Sequence, residues 1–222
     1  MRRPVEVKRH TAVSLLCLIA LAFCGAWTWV GTTQRTTSIP QSFVQNRAGA
    51  GTPRGPQGRV LLSHAQVSDA LAAGTLDRPV RSLLDVGAPL KFGDYVWNDT
   101  AVPSGETWIR IDLRSQLISV FRGENEIGTA VIVYGGDNKE TPVGKLRILG
   151  KARQHRSSIY DAEMPYTLRL TGDGVSIHAS SVRSRSATHG CIGVPLPFAK
   201  RLFDAAKVGD EVVIIRPRRR EA

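Results

Sequence analysis

The chain has 222 residues, of which 42% are hydrophobic and 6% aromatic, and a net charge of +11. That length holds one ordinary domain plus extensions. The positive charge clusters only at the two ends (Arg2, Arg3, Lys8, Arg9; Arg216, Arg218, Arg219, Arg220). With few aromatics and no recognition motif, this argues against nucleic acid as the main partner and fits attraction to an anionic surface or polymer.

Residues 1–30 read as an export segment. Met1 to His10 is basic, and Thr11 to Val30 is uncharged and mostly apolar. Two readings stand open: a signal peptide cleaved after Ala26, or an uncleaved anchor with Trp27 and Trp29 at the outer interface. The bulky Phe23 before Cys24 argues against a lipoprotein site. Both readings carry the remainder across a membrane. Cys17 and Cys24 are then apolar membrane residues, so the exported part holds one thiol, Cys191, and no internal disulfide.

Residues 31–60 are rich in Thr, Gln, Gly, Pro and Arg and read as a flexible tether, reaching roughly 30 Å as a random coil. Residues 61–104 read as an adaptor with a short helix over Ser63–Ala73, closed by Gly74. From residue 105 the pattern turns to strands. Over Thr107 to Leu113, Ile109, Ile111 and Leu113 alternate with Trp108, Arg110 and Asp112. Tight turns at 114–116 and 123–125 lead to strands over Leu117–Phe121 and Ile127–Tyr134, an antiparallel meander. Further strands are expected at Lys145–Leu149, Leu168–Leu170, Val175–His178 and Glu211–Ile215. Pro197–Lys207 has the helical spacing of Phe198, Leu202 and Ala205. The fold class is therefore mostly β, over residues 105–217, with one amphipathic helix before the last strand and a basic tail at 218–222.

Chemistry concentrates in Thr188-His189-Gly190-Cys191-Ile192-Gly193-Val194-Pro195 and in Ser176-Ile177-His178-Ala179 upstream. A thiol flanked by glycines, with two histidines to serve it, has what a cysteine nucleophile needs: a base and a polar setting that favours thiolate. Such chemistry narrows the substrate to an ester or amide carbonyl. A buried inert cysteine is the bland alternative, and an open zinc site of His178, His189 and Cys191 is another; the latter lacks a nearby carboxylate and the usual paired-ligand spacing. The pattern favours neither histidine strongly as the base. His10, His64 and His155 have no such context and read as surface residues.

Taken together, Ile177-His178-Ala179 and Thr188-His189-Gly190-Cys191-Ile192 resemble the signature of the bacterial L,D-transpeptidases, whose domain is also called YkuD-like. Glu140-Thr141-Pro142-Val143-Gly144 and Met164-Pro165-Tyr166 are similar to further segments of that domain. The resemblance spans about Thr107 to Pro217. It implies a β-sandwich or barrel-like domain with Cys191 as nucleophile and His178 as base. The Ala179 carbonyl would orient the imidazole, and the amides of His189, Gly190 and Cys191 would hold an oxyanion. Tyr166 would face the substrate. The implied substrate is a peptidoglycan stem peptide, with no metal or organic cofactor. The product would be a cross-link; the alternatives are trimming as an L,D-carboxypeptidase, or wall binding without turnover. One departure is plain: most members have arginine or asparagine where this chain has Gly193. Arg183 and Arg185, on a compact loop over Ser180–Ala187, are candidates to meet a substrate carboxylate in its place, or they are simply solvated.

Overall fold

The computed structural model describes residues 54–55, 58–136, 139–157 and 160–216. The export segment 1–30, nearly all of the tether and the tail 218–222 lie outside them. Among the described residues no helix is long and apolar enough to cross a membrane.

The elements in order are β1 (Arg54–Gly55), β2 (Arg59–Leu61), α1 (His64–Ala72), β3 (Ser82–Leu84), β4 (Tyr95–Trp97), β5 (Thr107–Asp112), β6 (Leu117–Arg122) and β7 (Asn125–Val131). They continue with β8 (Gly144–Arg147), β9 (Gly150–Ala152), β10 (Thr167–Arg169), β11 (Ser176–Ala179), β12 (Ile192–Val194), α2 (Leu196–Ala205) and β13 (Glu211–Ile215). The larger sheet runs β1-β2-β3-β7-β6-β5-β13-β8, with β4 also paired to β7; the smaller runs β12-β11-β10-β9. The fold is mostly β, with α2 before the last strand, as the sequence implies.

The β5–β6–β7 meander forms because its turns suit its residues. Asp112 Oδ1 accepts from the amides of Arg114 and Ser115 at 2.9 and 3.1 Å, an Asx turn that reverses the chain. Gly123 takes φ +54° at the next reversal. The pairing is not purely antiparallel. β13 lies parallel to β5, and β12 parallel to β11, which requires long crossovers rather than hairpins.

The main core gathers Ile109, Ile111, Ile118, Val120 and Ile127 from the larger sheet with Leu168, Ile177, Ile192 and Val194 from the smaller. Helix α2 adds Phe198, Ala199, Leu202 and Phe203, all buried. At its C-terminus the Lys151 ammonium donates to the carbonyls of Phe203 and Ala206. These are the groups a helix end leaves unpaired, where a positive charge is favoured.

The alternation of β5 suggests one apolar and one polar face, yet all six of its residues are buried. Its second face is covered by the segment before it. Trp108 stacks on Phe121 (4.0 Å between centroids, 8°) in a cluster with Leu76, Val80 and Leu83. Arg110, 3% exposed, donates to Asp77 Oδ2 at 2.7 Å. The stretch read as an adaptor thus supplies part of the same fold: β2 and β3 extend the larger sheet, and β4 pairs with β7. The chain is ordered sooner than the tether boundary implies. Val60 is buried, and the Arg59 guanidinium is held by Ser82 Oγ and the carbonyls of Asn98 and Glu126. Helix α1 starts at a capping box in which the Ser63 side chain accepts from the Gln66 amide and the Gln66 side chain accepts from the Ser63 amide.

Candidate active site

His178 lies on β11, whose register with β12 pairs Ile177 with Ile192, His178 with Gly193 and Ala179 with Val194. Extended one step back, that register sets Cys191 opposite Ser176. Side chains alternate along strands, so His178 and Cys191 share one face, two positions apart. Both line a cleft of about 820 Å³, together with Lys139, His155, Tyr160, Asp173 and His189.

The loop that carries Cys191 is held from several directions. Gly190 adopts φ +96°, a conformation that favours glycine. A Cβ on Gly135 would come within 2.8 Å of Gly190 Cα and 2.2 Å of the Lys139 carbonyl, so two backbones meet there. The Thr141 hydroxyl accepts from the Gly135 amide and donates to the Gly190 carbonyl, each at 2.9 Å. The Thr188 hydroxyl donates to the Cys191 carbonyl, and the Thr188 amide donates to Tyr134 O at 3.0 Å.

The His178 ring is oriented by its neighbour: Nδ1 lies 2.8 Å from the Ala179 carbonyl. A carbonyl only accepts, so Nδ1 carries the proton and Nε2 is the nitrogen able to take one. Ala179 is itself fixed by a hydrogen bond from its N–H to Pro165 O at 2.9 Å. Burial lowers the imidazole pKa, the Ala179 bond opposes this, and nearby His155 adds to the lowering.

The thiol moves the other way. Burial raises the Cys191 pKa, which the Ser176 amide and Lys139 partly offset and Asp173 reinforces. The expectation of a setting that favours thiolate is therefore corrected: desolvation outweighs the polar neighbours. Both shifts favour the uncharged forms, thiol and neutral imidazole.

His189 is exposed and stacks on Tyr160 (4.1 Å, 15°). Nothing in the sequence pattern singled out Tyr160 or His155, which reach the cleft from the segment between β9 and β10. Tyr166 does not join them. Its ring packs edge-on against Phe203 at 5.7 Å, beside the main core, and its backbone takes φ +57°. Arg183 and Arg185 are exposed and absent from the cleft lining. Their loop is pinned instead by Val182, buried with Val131 and Val133. The cation beside the thiol is Lys139, whose Nζ lies 3.6 Å from Asp173 Oδ2. Among the described residues no group of three His, Cys, Asp or Glu side chains is placed to hold a metal ion.

Gly193 is more than a missing side chain. It is buried and joined to Val133 by two backbone hydrogen bonds, Gly193 N–H to Val133 O at 2.8 Å and Val133 N–H to Gly193 O at 3.0 Å. A Cβ there would lie 2.7 Å from both Ser180 Cβ and Val133 Cγ2. The room a larger residue needs is already filled.

Residues 106–214 match the YkuD family, the L,D-transpeptidase catalytic domain. That stretch is therefore a member of the L,D-transpeptidase catalytic domain family. Among solved structures, an L,D-transpeptidase from Stackebrandtia nassauensis is 22% identical with a TM-score of 0.47, covering 52% of this chain and 58% of its own. One from Mycobacterium tuberculosis is 22% identical at 0.46, covering 50% and 57%. The catalytic domain from E. faecium is 24% identical at 0.42, covering 50% and 97%. The chain thus spans less than two thirds of the first two. A search of curated proteins finds no match.

Proposed function

We propose that this protein forms peptide cross-links in peptidoglycan through a thioester on Cys191. The observation that carries the reading is the His178 imidazole, held at Nδ1 by the Ala179 carbonyl and opening into the cleft that contains the thiol. The carbonyl of Ala179 does what a triad carboxylate does: it fixes tautomer and ring direction.

The chemistry follows from the two neutral groups. His178 Nε2 takes the thiol proton as Sγ attacks the carbonyl of the diamino acid in a stem peptide. The negative charge that develops on the carbonyl oxygen is met by backbone amides of the 189–191 loop. The C–N bond to the terminal D-residue breaks, and the imidazolium returns its proton to the leaving amine. An amine of a second stem then attacks the thioester, forms the new amide and releases the thiol. His189, stacked on Tyr160, shapes the wall of the cleft. The protein works in the cell envelope, with residues 11–30 as cleaved signal or membrane anchor, and its positive charge keeps it near anionic wall polymers.

The test is product analysis by mass spectrometry after incubation with a disaccharide-tetrapeptide. Cross-linked dimers are expected. Free tripeptide stems alone would show that water is the acceptor and make the protein an L,D-carboxypeptidase. No change would leave a wall-binding domain. A carbapenem, which carries a strained amide, should add its mass to Cys191 and not to a Cys191→Ala variant; an adduct on another residue would remove Cys191 from the mechanism.

A further inference from the structure

We propose that Thr141 is a positioning residue that aims the Cys191 amide at the oxyanion; this rests on acyl transfer at Cys191. Thr141 is 2% exposed and does not line the cleft, so it cannot touch a substrate. Its hydroxyl nonetheless bridges two backbones. It accepts from the Gly135 amide and donates to the Gly190 carbonyl, both at 2.9 Å. An amide only donates and a carbonyl only accepts, so this single hydroxyl is fixed in both roles.

The consequence lies in the peptide plane. The Gly190–Cys191 bond is trans, as is every peptide of the described chain, so the Gly190 carbonyl and the Cys191 N–H point in opposite directions across one rigid unit. Holding the oxygen sets the direction of the N–H. The residue before the bond is a glycine at φ +96°, with no side chain to resist rotation of that plane. Thr188 holds the next plane through the Cys191 carbonyl. The two peptide units flanking the thiol are each held by one threonine hydroxyl, and the plane bearing the Cys191 N–H is the one Thr141 holds. The close approach of Gly135 to Gly190 brings the Thr141 hydroxyl within reach of both.

Two reactions of the same sulfur separate this role from general support. Acylation by a carbapenem builds an oxyanion. Alkylation by iodoacetamide needs the thiolate and builds none. In Thr141→Val, which keeps the shape and loses the hydroxyl, acylation is expected to fall about 10- to 100-fold, somewhat less than the loss of an oxyanion donor outright. Alkylation measured at the same pH should stay within about twofold of wild type. Thr141→Ser, which keeps the hydroxyl, should restore most of the acylation rate. Thr141→Ala gives the same reading if the valine variant does not fold. The proposal is overturned if acylation in the hydroxyl-free variants matches wild type, if alkylation falls in step with it, or if serine gives no recovery. Wild-type protein that alkylates at Cys191 yet never acylates would instead sink the acyl-transfer reading.

Discussion

Replacing Gly193 with asparagine should harm the protein rather than improve it. The first atom of any side chain there meets Ser180 Cβ and Val133 Cγ2 at 2.7 Å, where ordinary contact begins near 3.4 Å. Neither neighbour is the free end of a flexible chain. The strain must be relieved by moving β12, and β12 is tied to Val133 through both of its Gly193 bonds. Overpacking of this kind costs about 1–3 kcal/mol. For a domain of this size each kcal/mol lowers Tm by roughly 2–4 °C, so a fall of roughly 2 to 12 °C is expected. Because Cys191 lies two residues earlier on the same backbone, carbapenem acylation should slow as well. Gly193→Ala should show the same signs more weakly. Thermal unfolding and stopped-flow acylation measure both effects. An asparagine variant with unchanged Tm and faster acylation would refute the reasoning, and would mean that the chain merely lacks a group it has room for.

Five further outcomes are expected. The wild-type acylation rate should rise with pH on a limb below the ordinary imidazole value of about 6.5, because burial lowers the His178 pKa and only its neutral form is a base. His178→Gln should cut acylation at neutral pH by about 10²- to 10⁴-fold and recover as the thiol ionises unaided above its raised pKa; an alkaline recovery seen only in His189→Ala would exchange the two roles. The same shift acts on stability: as pH falls below about 6.5 the unfolded imidazole binds its proton first, so His178 weakens the native state there, which chemical unfolding at pH 5 and 7 can detect. Lys139→Met should move the pH profile of Cys191 alkylation upward, since the ammonium lowers the thiol pKa; an unchanged profile would place Lys139 out of range of the sulfur. Asp77→Ala should destabilise by about 3 kcal/mol in urea unfolding, because the nearly buried Arg110 loses a carboxylate it meets at 2.7 Å; a change under about 0.5 kcal/mol would show that water replaces the carboxylate without cost.

What the sequence carried in local terms, it carried well. The β5–β7 meander was readable because alternation and turn residues agree, and helix α2 because its apolar spacing is regular. Strands of three residues such as β3, β4 and β9 were not readable. Each owes its existence to a partner far along the chain: Val96 opposite Thr129, Lys151 opposite Leu168. β12 lies inside the cysteine motif itself, where Gly193 reads as a loop residue although it is paired on both sides. The second buried face of β5 was hidden because Arg110 and Asp112 read as solvated until Asp77 is brought to them. In the site, the chain positions of His178 and Cys191 were legible from the motif spacing. His155, Tyr160 and Lys139 were not, since they arrive on loops whose course only the tertiary fold decides. Of the two readings open for Arg183 and Arg185, the solvated one holds, and the cation at the cleft is Lys139 from another loop. Local charge runs say nothing about which side of a turn faces inward.

The cover over the second face of β5 also decides where the chain can be cut. The family match begins at residue 106, and a fragment starting there looks complete by motif. It would lack Leu76, Val80 and Leu83, leaving the stacked rings of Trp108 and Phe121 bare. Two such rings present roughly 300–500 Å² of apolar surface, as much as the largest patch on a typical soluble monomer. The cut would also strip β3 and β4 from β7 and open its backbone to any passing strand. A fragment that keeps the whole histidine and cysteine motif would therefore be expected to clump, and the shortest soluble form of this protein should start no later than Gly58.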